Sequence, residues 1–374
     1  MIRSIEHKLL YSDERFHAAF PSVAKLKNGQ LLLAFRRARD CAWLIDSEKR
    51  RELDFTSRVD HLDSRSHIAM INLDAKGRPL SDKVDCLPMD PEAGDQDPSL
   101  LVLENGRVLL TSFSYYHLPS DVAQYLKGAR RLGDSGDYFL SWGSHISVRD
   151  ADSEQWLYHH RFLPRSASFG RMISPTGNKQ KAGASRGQAT EWSGNIWVPV
   201  YGESRHSAAL YQSSNGKDWH FHAIVACDST GTIQYQEPAL CADPDTGLVC
   251  FMRTAGADKD YLATAVSRDG IHWSEPKLHN LAGHPHHPLR LRDGRVFLTY
   301  GYRNQPSGVR AVILDQPTAD PDLAREWIIR DDGRGTDLGY PWSTQLADNI
   351  VLTVYYTTSQ HGLREIWGSW ITLE

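Results

Sequence analysis

Long apolar runs are missing from this chain: no 18 consecutive residues are apolar, so no segment has the length to span a bilayer as a helix. The opening MIRSIEHKLLYSDERF lacks the apolar core of a secretory leader, and a cytoplasmic location with no membrane partner is the expectation. Cysteine is scarce. The five, Cys41, Cys86, Cys227, Cys241 and Cys250, are odd in number, scattered and without a CxxC pair. That pattern argues against a disulfide framework or a zinc site and predicts reduced, buried thiols. No His/Cys/Asp cluster stands out along the chain, and neither a metal nor a cofactor is expected. An excess of one charge is also lacking: 42 Lys and Arg against 46 Asp and Glu leave a net charge of −4. This argues against nucleic acid held by bulk charge, while leaving room for a local basic pocket. Helical periodicity is nearly absent, the best stretch being a short one around Asp121–Arg131.

What the chain has is repetition. A turn residue plus Pro, an apolar stretch, a tight turn and a β-rich run recur as FPSVAKLKNGQLLLAFR from Phe20 and DPSLLVLENGRVLLTSF from Asp97. They return as EPALCADPDTGLVCFMR from Glu237, HPLRLRDGRVFLTYG from His287 and YPWSTQLADNIVLTVYY from Tyr340, with a copy lacking Pro, QATEWSGNIWVPVYG, at Gln188. Each reads as a hairpin around a turn such as Asn28-Gly29, Asn105-Gly106 or Asp293-Gly294. A further strand follows each: SHIAMINLD, SHISVRD, HSAALYQSS, YLATAVS, VRAVILD and REIWGSWITL. Repeated antiparallel units without a helical layer predict an all-β fold, a six-bladed β-propeller with about four strands per blade, filling residues 1–374 as one domain. The segment Ile2–Tyr11 is expected to supply the outer strand of the last blade, which removes an open edge.

In such a ring, equivalent positions face a common axis. The residue before each Pro is one: Phe20, Asp97, Gln188, Glu237, His287 and Tyr340. Most are polar or ionisable where a buried strand should be apolar, which predicts a polar pocket. Arg36 after LLLAF, Arg253 after LVCFM and Arg310 in GVRAVIL occupy inner-strand positions, and several guanidinium groups at one mouth call for an anion. The stretch Arg165–Gln188 carries Arg165, Arg171, Lys179, Lys181 and Arg186 with no acidic residue, and reads either as a solvated loop or as a lid over an anionic ligand.

SSNGKDW from Ser213 and SRDGIHW from Ser267 look like shortened Asp boxes, the turn motif of sialidase-type propellers. Around them the chain resembles the sialidase (neuraminidase) superfamily over nearly its whole length. Phe35-Arg36 matches part of the family's opening Phe-Arg-Ile-Pro motif, Asp63 stands where the family has an Asp, and Glu237-Pro238, Arg253 and Arg310 follow in order. Tyr340 lies 30 residues beyond Arg310, the family's spacing for its Tyr. Tyr355-Tyr356 stands where the family commonly has an acid, and Gly283–His287, with its three histidines, has no counterpart there.

The resemblance implies a retaining exo-glycosidase releasing a terminal acidic sugar, a sialic or related nonulosonic acid. Tyr340 would be the nucleophile, Glu237 its base, Asp63 the acid/base, and Arg36, Arg253 and Arg310 the clamp on the sugar carboxylate. Arg37, Asp97, His287 and Arg303 are the further expected contacts to an anionic carbohydrate. Two other classes stay open at this point. One is a propeller-fold lyase or uronic-acid-linked glycosidase using Tyr340 and His287; the other is a carbohydrate-binding propeller without turnover.

Overall fold

The computed structural model describes residues 1–46, 49, 61–126, 129–132, 137–163, 183–202, 207–256 and 261–374. In chain order the strands are β1 (Ile2–Tyr11), β2 (Phe16–Lys25), β3 (Leu31–Arg39), β4 (His67–Leu73), β5 (Asp85–Cys86), β6 (Gly94–Asp95), β7 (Ser99–Val102), β8 (Val108–Leu118) and β9 (Arg130–Arg131). They continue with β10 (Tyr138–Arg149), β11 (Trp156–Leu163), β12 (Thr190–Trp192), β13 (Asn195–Tyr201), β14 (Ser207–Ser213), β15 (His220–Cys227), β16 (Gln234–Asp243), β17 (Gly247–Ala255) and β18 (Tyr261–Ser267). The last are β19 (Lys277–Ala282), β20 (His286–Arg290), β21 (Val296–Tyr302), β22 (Gly308–Leu314), β23 (Glu326–Arg330), β24 (Gly339–Ala347), β25 (Ile350–Thr358) and β26 (Arg364–Leu373).

These strands form antiparallel sheets that follow one another along the chain as propeller blades. Five have four strands, β2–β5, β12–β15, β16–β19, β20–β23 and β24–β26 with β1; the second along the chain, β6–β11, has six. The six hairpins read from the repeats are the first two long strands of each sheet. The closing strand also falls where expected: β1 pairs antiparallel with β26, from Ile2 opposite Leu373 to Tyr11 opposite Ile366. Expected helix around Asp121–Arg131 shrinks to one turn, Ser120–Ala123.

The core explains why runs such as Leu31–Phe35 do not alternate. Leu31, Leu33 and Phe35 pack with Trp342, Leu352 and Val354 of the last sheet. Leu32 and Ala34 pack the other way, with Leu100, Val108 and Leu110 of the second sheet. A middle strand lies between two neighbouring blades, so both its faces are buried and both must be apolar. Equivalent clusters join the second sheet to the third, the third to the fourth, the fourth to the fifth and the fifth to the last. The apolar contacts therefore run around a closed circle.

The turns SSNGKDW and SRDGIHW fold alike. In each, the Ser hydroxyl accepts the N–H of Gly216 or Gly270, and the Asn215 or Asp269 side chain accepts the next two backbone N–H groups. The Trp219 and Trp273 indoles donate to the carbonyls of Gly216 and Gly270. None of the five cysteines forms a disulfide, and only Cys241 and Cys250 are buried; Cys41, Cys86 and Cys227 are exposed, which corrects the expectation of buried thiols.

Candidate active site

The pre-proline residues meet at the axis. Phe20, Glu237 and Tyr340 each sit at a register shift in the first strand of their sheet, between Ala19 and Ser22, Gln236 and Ala239, and Gly339 and Trp342. All three have left-handed backbones, with φ of 55°, 47° and 48°. The following proline disfavours the right-handed helical region, and the extra residue of the bulge is left to aim its side chain inward. Left-handed geometry costs a non-glycine residue about 1–2 kcal/mol, and strain of this kind concentrates at functional sites.

The side chains so placed touch across sheets. The Tyr340 hydroxyl donates to Glu237 Oε1 at 2.5 Å, and Arg253 Nη1 donates to Glu237 Oε2 at 3.4 Å. The Tyr340 ring packs on Phe20 at 4.7 Å between centroids. Burial alone would push the Glu237 carboxyl up, but Arg253, His284, the Tyr340 hydroxyl and Arg186 outweigh it and hold it below the usual carboxylate range. Burial and the Glu237 charge push the Tyr340 phenol well above its ordinary value. The resting pair is therefore a carboxylate accepting from a neutral phenol.

Two guanidinium groups flank the phenol ring: Arg186 at 5.3 Å and Arg303 at 5.7 Å. Arg186 also lies 3.8 Å from the Asp97 carboxylate and donates to the Pro98 carbonyl. It is carried in by a segment passing so close to the fourth sheet that a Cβ on Gly187 would sit 1.8 Å from the Pro238 carbonyl oxygen, at a φ of 130°. Only glycine fits there. Asp97 is buried, and burial pushes its carboxyl up to about 7, with Arg186 opposing and Glu237 reinforcing the shift. Asp95, accepting from Ser114, is raised by burial to about 7 as well. Arg36, wholly buried, stands 5.9 Å from the Phe20 ring.

A second ionic group backs the first. Asp337 accepts from the Tyr356 hydroxyl at 2.5 Å, with Arg364, His17 and Arg303 at 3.5, 3.8 and 3.9 Å. Burial opposes its ionisation, but Arg364 and the neighbouring histidines and Arg303 hold it well below the usual range. Tyr356 is one of the tyrosines standing where an acid was expected; the acid arrives instead from the segment before β24.

Tyr340, Glu237, Arg253, Arg303, Arg36 and Asp97 thus come together around the axis as read from the sequence. His287 comes to the same neighbourhood, its ring tilted against Trp342 at 4.3 Å between centroids, and its Nδ1 accepts the Ser343 N–H at 3.2 Å. Three expected residues are engaged by other partners. Asp63 is engaged by the Arg39 guanidinium at 2.7 Å and by the backbone N–H groups of Arg39 and Arg65. Although burial opposes it, those bonds hold its carboxyl below the usual range, which suits a structural anion and not a proton donor. Arg310 is 3% exposed and spends its guanidinium on the carbonyls of Pro306, Val309 and Arg330. Arg37, one residue from Arg36, points to the other face of the strand and binds His67, Tyr11 and Cys86. Arg165, Arg171, Lys179 and Lys181 lie outside the described residues. Asp337 and Asp95 were missed because no repeat position marks them; Arg186 was visible only as part of a basic segment.

No protein-family model matches the chain, and no curated protein does. Among solved structures, a protein of unknown function from Dyadobacter fermentans DSM 18053 superposes with a TM-score of 0.82 at 32% identity, covering 100% of this chain and 99% of that one. This chain belongs to the family of that Dyadobacter protein. The K499G mutant of NanB sialidase from Streptococcus pneumoniae superposes at 0.65, with 13% identity over 98% of this chain and 70% of that one. Penicillium chrysogenum alpha-L-arabinanase complexed with arabinobiose does so at 0.62, with 10% identity over 99% of both chains. At such identities the likeness is one of fold: the chain is a β-propeller.

Proposed function

We propose that this chain is a retaining exo-glycosidase that releases a terminal acidic sugar, a sialic or related nonulosonic acid. The six-stranded sheet counts as one blade, so the ring is six-bladed and accounts for the whole chain as one domain. The observation that carries the reading is the buried Tyr340–Glu237 hydrogen bond of 2.5 Å, set among Arg36, Arg186, Arg253 and Arg303. A sugar carboxylate beside the anomeric carbon repels an anionic nucleophile and favours a neutral phenol with a base beside it. Fold neighbours that include a sialidase and an arabinanase support a carbohydrate substrate.

In this scheme Arg36, Arg253 and Arg303 grip the substrate carboxylate, Arg303 taking the place first given to Arg310. Gripping it has a consequence for Glu237. Arg253 helps keep that carboxylate ionised, and once Arg253 shares its charge with the substrate, Glu237 gains proton affinity. The Tyr340 oxygen attacks the anomeric carbon while its proton passes to Glu237 Oε1. Asp97, whose carboxyl is pushed to about 7 by burial, protonates the leaving oxygen in place of Asp63. Asp97 then deprotonates the water that attacks the anomeric carbon, and the phenoxide recovers its proton from Glu237. The Ser343 N–H at Nδ1 argues against His287 as the base, since it favours the tautomer with its hydrogen on Nε2, a donor to substrate. In that tautomer a Tyr340/His287 lyase would lack its base.

The test uses aryl glycosides of nonulosonic and uronic acids. Tyr340→Phe should lower turnover by roughly 10³-fold or more with the fold intact by circular dichroism. Unchanged turnover rules out Tyr340 as nucleophile. Tight binding without turnover in the wild type makes the chain a binding module, and an unsaturated, ultraviolet-absorbing product makes it a lyase.

A further inference from the structure

At the rim of the ring, far from the axial strands in both sheets concerned, His279 meets two aspartates that follow it by 41 and 43 residues in the chain. His279 lies on β19, the outermost strand of the fourth sheet. Asp320 and Asp322 lie around a single 3-10 turn, Pro321–Leu323, ahead of β23. His279 Nδ1 is 3.3 Å from Asp320 Oδ1 and 3.7 Å from Asp322 Oδ2. One atom from each residue lies within 4.8 Å of the others.

The far side of every one of these groups is already held. His279 Nε2 is 2.8 Å from the Thr264 hydroxyl. Asp320 Oδ2 accepts from Lys277 Nζ at 2.8 Å, and Asp322 Oδ1 accepts the Asn280 N–H at 2.7 Å. Nδ1 and one oxygen of each aspartate turn inward, Asp320 Oδ1 also accepting the Asp322 N–H at 3.1 Å. His279 is 5% exposed, and Nδ1 has no hydrogen-bond partner among the described residues. In the tautomer that carries its hydrogen on Nε2, donating to Thr264, Nδ1 turns a lone pair toward the two aspartates, and a cation between the three would satisfy them all. A cavity of about 200 Å³ lined by Thr264, Lys277, His279, Thr318 and Asp320 adjoins the cluster and gives room for coordinated water.

We propose that His279, Asp320 and Asp322 form a binding site for a divalent transition-metal cation of the zinc type. One imidazole and two carboxylates are a borderline donor set, suited to such an ion and poor for calcium, which takes six or more oxygens. Ligand atoms about 2.1 Å from an ion lie at most roughly 4 Å apart, so a small rotation of the two partly exposed aspartates seats it. Thr264, Lys277 and Asn280 supply the outer hydrogen bonds that metal ligands commonly have. The ion would pin the Asp320–Asp322 turn of the fifth sheet onto the edge strand of the fourth. Residues within one blade could not make that link. The site is independent of the axial chemistry.

The test is isothermal titration of the chelator-treated, dialysed full chain with zinc chloride, calcium chloride and cobalt chloride. The expected result is one zinc site per chain tighter than about 10 µM, with no calcium heat. Cobalt should give visible absorption bands at the same stoichiometry. Asp322→Asn and His279→Gln should each weaken zinc by at least about 10-fold and abolish the cobalt bands. If His279→Gln fails to fold, Asp322→Asn decides alone. No zinc heat in the wild type, or equal zinc affinity in wild type and Asp322→Asn, overturns the proposal.

Discussion

The axis and the rim between the fourth and fifth sheets both bury ionisable groups, with opposite balance. At the axis the guanidinium groups of Arg36, Arg186, Arg253, Arg303 and Arg364 face four carboxyl groups, and two of those, Asp95 and Asp97, are pushed to about 7 by burial. At the rim two carboxylates face one imidazole, with Lys277 reaching only the far oxygen of Asp320. Buried charge that its neighbours leave uncompensated is costly, so the surplus sign predicts the sign of the ligand. The proposed ligands follow that sign: an anion at the axis, a cation at the rim. Net charge, −4 over the chain, reports neither.

The largest effect expected from disturbing this balance is at Asp337. Asp337→Ala leaves Arg364, whose side chain is 2% exposed, without its carboxylate. The loss should be about 3–5 kcal/mol in denaturant unfolding. A loss below 1 kcal/mol would mean that the axial ions do not depend on one another.

Next comes a pair of arginines that the sequence treats alike and the structure separates. Arg303→Ala should raise KM for an acidic aryl glycoside by roughly 10–100-fold, the worth of a charge-assisted hydrogen bond. Arg310→Ala should instead lower stability, because it strips three backbone carbonyls of their donor, and leave KM where it was. The reverse outcome would return Arg310 to the clamp.

The smallest effect is a slope. Folded Asp95 and Asp97 hold their protons up to about 7, against an ordinary Asp value of 3.8. The stability they contribute is therefore complete below pH 4 and is lost as pH rises through 7. Urea midpoints measured across that window should fall with pH, and Asp97→Asn should flatten the fall. A wild-type stability that is level there would remove Asp97 as a proton donor held ready by burial.

Much of the fold was legible because it is local and repeated. Asn28-Gly29, Asn105-Gly106 and Asp293-Gly294 close tight turns whatever surrounds them, and the copies announce a ring because no single hairpin can bury both faces of LLLAF or LVCFM. The Glu237-Pro238 and Tyr340-Pro341 pairs were legible for the same reason: like Phe20-Pro21, each repeats a residue before proline at the equivalent place, and all three sit at the same register shift. Asp63, Arg37 and Arg310 lie outside that repeat position, and the fold gives each of them other partners. A one-residue step reverses the face to which a strand residue points, which sends Arg37 away from Arg36, and a nearby Arg39 or a set of free carbonyls captures a charge before it reaches the axis.

The amino-acid sequence by itself determined the propeller, the closing strand Ile2–Tyr11 and the inward position of Tyr340 and Glu237, since each follows from period, turn chemistry and proline. Only the tertiary structure decided which charges meet. Arg186 with Asp97, Asp337 with Arg364, and His279 with Asp320 join segments that no spacing relates, because the neighbours of an ionisable group are chosen by how sheets pack around the ring and not by their order along the chain.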